Sequence, residues 1–187
     1  DEGKIEDAIN IFKPVKYKCK KYTFEQENKL IKKNNLKELW QSNDYGIARN
    51  KQNYSISLTS MFYKVFKANK LKMEYEIEKG FKYDYVIRCR PDFSFNSEVP
   101  REILMKTNDN SILLQLDHYA EKTKQNDKFA IGTSDVMDRY SDLYNHIYEY
   151  IKEGCVINGQ NINMHHIEKL KLIVKWEKIN ACRVRPK

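Results

Sequence analysis

Residues 82–95 read KYDYVIRCRPDFSF. The core of this stretch, YVIRC at 85–89, is short, β-branched and aromatic, and Pro91 follows it closely. Proline cannot donate to a ladder, so the run predicts a buried central strand that ends there. Arg88 and Arg90 are two residues apart, so a strand sets both guanidiniums on one face. Asp92 falls just beyond the strand end, and in open α/β sheets ligands bind outside the carboxyl ends of strands. Two guanidiniums on one face suit a diphosphate. A carboxylate beyond them can hold a divalent metal that bridges phosphate oxygens. The competing role is internal: Arg88 or Arg90 neutralised by Asp84 or Asp92, a pair whose breakage costs about 3–5 kcal/mol when fully buried.

On either side of this strand the hydrophobic spacing alternates between helix and strand periods. Residues 4–12 (KIEDAINIF) carry apolar groups at helical spacing and Pro14 ends them, whereas 15–19 (VKYKC) alternates like a strand with one wet face. Thr23 and Gln26 form a capping-box pattern that predicts a helix over 24–33, followed by a polar loop at 43–53. Residues 55–79 predict the longest helix, closed by Gly80. Residues 111–116 (SILLQL) predict a second apolar strand. Ser134 is a candidate cap for one helix over 135–152, with Gly154 at its end. A helix over 162–170 and short strands at 172–176 and 181–184 complete the pattern. Strands alternating with helices predict an α/β fold in one domain, 1–187, with a mainly parallel sheet and 85–89 at its centre.

The chain has 187 residues, enough for one sizeable core. Six Gly and four Pro exclude collagen-like and low-complexity classes. No apolar run reaches the roughly 18–20 residues of a membrane span. The start, DEGKIEDAIN, is acidic and amphipathic, unlike a signal peptide. It begins with Asp, so a fragment or processed chain is expected. Cys19, Cys89, Cys155 and Cys182 are widely spaced and unlike a zinc or disulfide framework. A reducing, cytoplasmic compartment is expected, or the membrane surface, and Cys89 reads as a small buried residue. A net charge of +8 attracts anions such as nucleic acid, lipid headgroups or phosphorylated small molecules.

A second constellation is Asn126-Asp127-Lys128-Phe129-Ala130-Ile131-Gly132. Asp127 follows a polar loop and precedes an apolar run. Transfer to a hydroxyl requires a carboxylate that takes or orients the acceptor proton, and Asp127 is the candidate, against a plain turn aspartate. Asp117 and His118, at the end of SILLQL, are weaker candidates. His165 and His166 are adjacent on a helix, so they point about 100° apart and do not share one ion. His165 is a further weak candidate for a metal or phosphate contact.

KYDYVIRCRPDFSF closely resembles the (Y/F)D-x-VIR-x-RPD-x-x-F element of a family of polysaccharide-biosynthesis glycosyltransferases, found in bacterial surface-polysaccharide clusters and large DNA viruses and similar to WavE-type lipopolysaccharide synthesis proteins. SMFYKVFKANKLKMEYE (60–76) resembles the helix that precedes that element. NDKFAIGTSDVMDRYSDLYNHI (126–147) resembles the family's D-x-F-x-x-G segment with its Met/Tyr-rich helix, and INMHHIEKLKLIV (162–174) resembles its ending. The RPD stretch is the specific part. Where the family often has an acidic residue near the last helix, this chain has Gly159-Gln160-Asn161. The resemblance implies a GT-A-like, Rossmann-type fold, here expected without its N-terminal strand. It implies sugar transfer from a nucleotide-sugar donor to a glycan or lipid-linked acceptor, assisted by Mn²⁺ or Mg²⁺. Arg88 and Arg90 would then bind the donor phosphates, Asp92 the metal, and Asp127 the acceptor. The alternatives are a basic nucleic-acid-binding domain, for which no recognition signature is present, and a catalytically inactive scaffold fragment.

Overall fold

The computed structural model describes residues 2–18, 23, 25, 51–90, 92–124, 126–156 and 158–183. The helix expected over 24–33 lies almost wholly outside these residues, as do Pro91 and most of the loop expected at 43–53. In chain order the elements are α1 (Glu2–Phe12), α2 (Lys51–Lys79), β1 (Val86–Cys89), β2 (Phe93–Phe95), α3 (Arg101–Leu104), β3 (Ser111–Gln115), α4 (His118–Thr123), β4 (Phe129–Gly132), α5 (Ser134–Ser141), α6 (Leu143–Lys152), α7 (Gly159–Lys169), β5 (Ile173–Glu177) and β6 (Ala181–Arg183). The chain is mixed α/β. Among the described residues no helix is long and apolar enough to cross a membrane.

Four strands form one sheet in the order β1-β4-β3-β5, and β2 pairs with β6 in a separate ribbon. The expected mainly parallel sheet is corrected here. β4 is antiparallel to both β1 and β3, and only β3 and β5 pair in parallel. Yet β1, β3 and β5 all run the same way. One reversed strand inserted between β1 and β3 makes two of the three ladders antiparallel. The carboxyl ends of β1, β3 and β5 and the amino end of β4 therefore share one edge of the sheet.

The strand expected at the centre is at the edge of the described sheet. β1 alternates between half-buried and exposed, with Ile87 45% exposed and Cys89 exposed rather than buried. The centre belongs to β3 and β4, whose residues are buried throughout. Ile112, Leu114 and Ala130 face a layer containing Val136, Met137 and Tyr140 of α5 and Ile167 of α7. Leu113, Phe129 and Ile131 face the opposite way, onto Ile103 and Ile179. A strand covered on both sides must be apolar on both, and SILLQ and FAIG carry no charge.

Residues 15–18 form no strand, and the single helix expected over 135–152 is two, α5 and α6, broken at Asp142. The break follows from packing. α5 covers the sheet, whereas Leu143, Ile147 and Ile151 of α6 pack with Leu58 and Phe62 of α2 and Ile162 of α7. Gly80 closes α2 as expected, at φ +68, with the Phe81 amide donating to the Glu76 carbonyl at 3.1 Å.

Ser134 does not cap α5. Thr133 holds the cap position, and the Ser134 hydroxyl donates to Glu76 Oε1 at 2.7 Å. Glu76 is 4% exposed and also accepts from the Tyr83 amide at 3.0 Å and pairs with Lys72 at 3.0 Å. Burial pushes this carboxyl up, but the Ser134 hydroxyl, the Tyr83 amide and Lys72 outweigh it and hold the group below its ordinary value. Lys72 also donates to Ser134 and pairs with Asp138 at 2.8 Å. This polar cluster fixes α2 against the start of α5, and α2 is the wall opposite β1.

Candidate functional site

A cavity of about 1100 Å³ lies between α2 and β1, and Arg88, Arg90, Asp92 and Asp127 all line it. Lys64 of α2 and Gly159 of α7 border it as well. Four residues from two separate stretches of sequence thus converge, because the carboxyl end of β1 lies beside the amino end of β4. In that register Cys89 is opposite Phe129, so Arg90 and Asp92 follow β1 just where Asp127 precedes β4.

Arg88 and Arg90 are both half-buried on the β1 face shared with Val86. Arg88 Nη1 donates to the backbone carbonyl of Asp127. Its guanidinium also lies against the fully buried Tyr140 phenol. Burial pushes that phenol up, and the positive charge of Arg88 partly opposes the shift. Arg90 makes a two-point pair with Asp92: Nε donates to Oδ1 and Nη2 to Oδ2, both at 2.8 Å. The Asp92 carboxylate raises the Arg90 pKa further above its ordinary value. The internal pair weighed as the competing role of Asp92 is therefore present, with Arg90 as the partner.

Asp127 is 8% exposed and is held through its neighbours. Asn126 Nδ2 donates to the Gln115 carbonyl at 2.8 Å, and Asn163 Nδ2 donates to the Asn126 carbonyl at 2.8 Å. With Arg88 on its own carbonyl, the Asp127 backbone is clamped from β3, α7 and β1. Its carboxylate meets the first residue of α7: a Cβ built on Gly159 would lie 2.4 Å from Asp127 Oδ2. Glycine at this position lets the carboxylate reach the positive end of a helix dipole. Gly159→Ala forces the carboxylate off the helix end. We expect a loss of about 1–3 kcal/mol, read as a lower Tm, together with reduced turnover in any assay that depends on Asp127.

The weaker candidates lie elsewhere. Asp117 caps α4, accepting from the Ala120 amide at 2.8 Å, and pairs with Lys128 at 2.5 Å. His118 has its side chain 84% exposed. His165 Nε2 bonds Glu153 Oε2 at 2.9 Å, and its ring packs edge-on against Tyr150 at 4.8 Å. None of these three lines the cavity. His166, the neighbour of His165 on α7, is fully buried. Sequence reasoning did not single out Gly159 as a cavity residue, nor Glu76 and Lys72. The i, i+4 spacing of Lys72 and Glu76 within a stripe of helix core was the available sign.

The donor set fits a protein-held divalent cation poorly. Both Asp92 oxygens are engaged by Arg90, and among the described residues no group of three His, Cys, Asp or Glu converges. The positive charge facing the cavity comes from side chains of the chain itself. No protein-family model matches the sequence, and no curated protein or solved structure is significantly similar to it.

Proposed function

We propose that this chain is a glycosyltransferase of GT-A-like type, which moves a sugar from a nucleotide-sugar donor to a hydroxyl of a glycan or lipid-linked acceptor. One observation carries the proposal. The residues whose sequence suggested phosphate binding and proton transfer line a single cavity, Arg88 and Arg90 on β1 and just past its end and Asp127 just before the neighbouring β4. The reaction forms a bond from the acceptor oxygen to the anomeric carbon and breaks the bond from that carbon to the diphosphate. Asp127, clamped and nearly buried, receives or orients the acceptor proton. Arg88 and Arg90 face the charge that gathers on the departing nucleoside diphosphate. A divalent metal at Asp92 would first have to take that carboxylate from Arg90.

The test is a thermal-shift panel of nucleoside diphosphates, each with and without Mn²⁺ or Mg²⁺. A nucleotide-dependent rise in Tm supports transfer, and its dependence on metal reports whether Asp92 is released from Arg90. The Arg90–Asp92 pair favours one second reading, an inactive glycosyltransferase-like scaffold, and that reading predicts no shift with any nucleotide.

Asp92→Asn separates these roles. The pair is about a quarter exposed, 27% and 28% for the two side chains, so it lies between the surface and interior cases. We expect a stability loss of about 1–2 kcal/mol, smaller than a fully buried pair would show. Nucleoside diphosphate binding lost beyond that fall in Tm places Asp92 in ligand binding. Unchanged binding leaves it only as the partner of Arg90.

A further inference from the structure

Two stretches of this chain carry lysine without acid. Residues 8–24 hold five lysines and no Asp or Glu, and residues 51–73 hold five more and again no acid. The fold brings residues 16–18 of the first beside residues 63–71 of the second. A second cavity, of about 290 Å³, is lined by Lys16 and Lys18 from the first stretch and by Lys64 and Lys67 from the second, with Tyr17 and Tyr63 between them. Lys16 is neutralised by Glu78 at 2.6 Å. Among the described residues no carboxylate pairs with Lys18, Lys64 or Lys67. Lys67 lies 5.6 Å from the centre of the Tyr63 ring and 5.5 Å from that of Phe66. Like charges gathered in a concave site repel one another, and an anion removes that cost.

We propose that this lysine pocket is a second anion site that binds a diphosphate group. Its small volume suits a compact polyanion and leaves no room for a nucleic-acid helix. Ammonium groups act as point charges on phosphate oxygens. Lys64 also lines the large cavity, so the two sites share a wall. Given the transferase reading of the large cavity, on which this step rests, the diphosphate belongs to the acceptor. The pocket holds the acceptor's charged end while its hydroxyl reaches Asp127.

The experiment titrates inorganic pyrophosphate into the full chain and into the Lys18→Ala/Lys67→Ala variant by calorimetry, at low and high salt. Both lysines are exposed, so the variant keeps its fold. The expected result is binding that weakens roughly tenfold in the variant and weakens with salt in the parent. Nucleoside diphosphate binding at the large cavity is unchanged by the variant. Equal pyrophosphate affinity in both proteins overturns the proposal, as does no binding to the parent. A single-stranded oligonucleotide that binds through the same lysines while pyrophosphate does not would overturn it in favour of a nucleic-acid surface. Vesicles containing a long-chain prenyl diphosphate identify the source: lysine-dependent sedimentation with them supports a lipid-linked diphosphate, and pyrophosphate binding without sedimentation supports a water-soluble one. Lysine-dependent pyrophosphate binding with no nucleoside diphosphate binding in the parent leaves the pocket standing and removes the transferase reading.

Discussion

Asp127→Asn should abolish most turnover while leaving donor binding and Tm nearly unchanged. Asn has the same shape, so the clamp on the 126–128 backbone stays: Asn126 on Gln115, Asn163 on Asn126, and Arg88 on the Asp127 carbonyl. What disappears is the negative charge beside the α7 start and the capacity to take a proton. General-base catalysis of this kind contributes about 10²–10⁴-fold, so kcat should fall by that order with KM for the donor little changed. Steady-state kinetics of sugar transfer, run beside a melting curve, provides the check. If activity and Tm fall together and in proportion, Asp127 is a structural turn residue and the proton-transfer role is lost.

The second large effect is acid lability centred on His166. This ring is fully buried between the Tyr150 hydroxyl, 2.8 Å from Nδ1, and the Arg139 carbonyl, 3.0 Å from Nε2. A carbonyl only accepts, so Nε2 carries the proton and Nδ1 accepts from Tyr150, which describes a neutral imidazole. Burial, with the nearby His146 adding to it, pushes the His166 pKa down to about 4. The unfolded chain titrates near 6.5, so between these values it binds more protons than the folded one. Stability is therefore complete above about pH 6.5 and is lost as pH falls toward 4, by about 3 kcal/mol in all. For a chain of this size that corresponds to a drop in Tm of roughly 6–12 °C. Glu76, held low, adds its own loss at still lower pH. Melting curves from pH 7 to 4 should show the decline, and His166→Gln, although less stable at pH 7, should flatten it. A flat Tm between pH 6.5 and 4.5 in the parent would contradict the buried neutral histidine.

The cluster that lines the cavity was easier to find in the sequence than the sheet that carries it. Arg88, Arg90, Asp92 and Asp127 stand out because charge beside an apolar run is visible locally, and all four line one cavity. Strand order is a property of distant pairings, and local spacing carries little of it. The run YVIRC looked central because it is β-branched. Arg88 within it and Arg90 just after it were the contrary sign, since a strand covered on both faces cannot carry them, whereas FAIG and SILLQ can be covered on both. The reversal of β4 follows from where the chain returns after α4, which no periodicity records. The break at Asp142 was hidden for a similar reason: α5 and α6 have a continuous helical pattern, but the apolar side of α5 covers the sheet while that of α6 packs on α2 and α7. Gly159 became meaningful only when Asp127, 32 residues earlier, was found against it.

The central claim is that the cavity between α2 and β1 receives a nucleoside diphosphate. Hydrogen exchange read by mass spectrometry, with and without saturating nucleoside diphosphate, tests it most directly. The account predicts slowed exchange in peptides covering 86–92 and 126–128 and at the start of α7, with β5 and β6 unchanged. No slowing at saturation, or slowing confined to peptides away from the cavity, would contradict it.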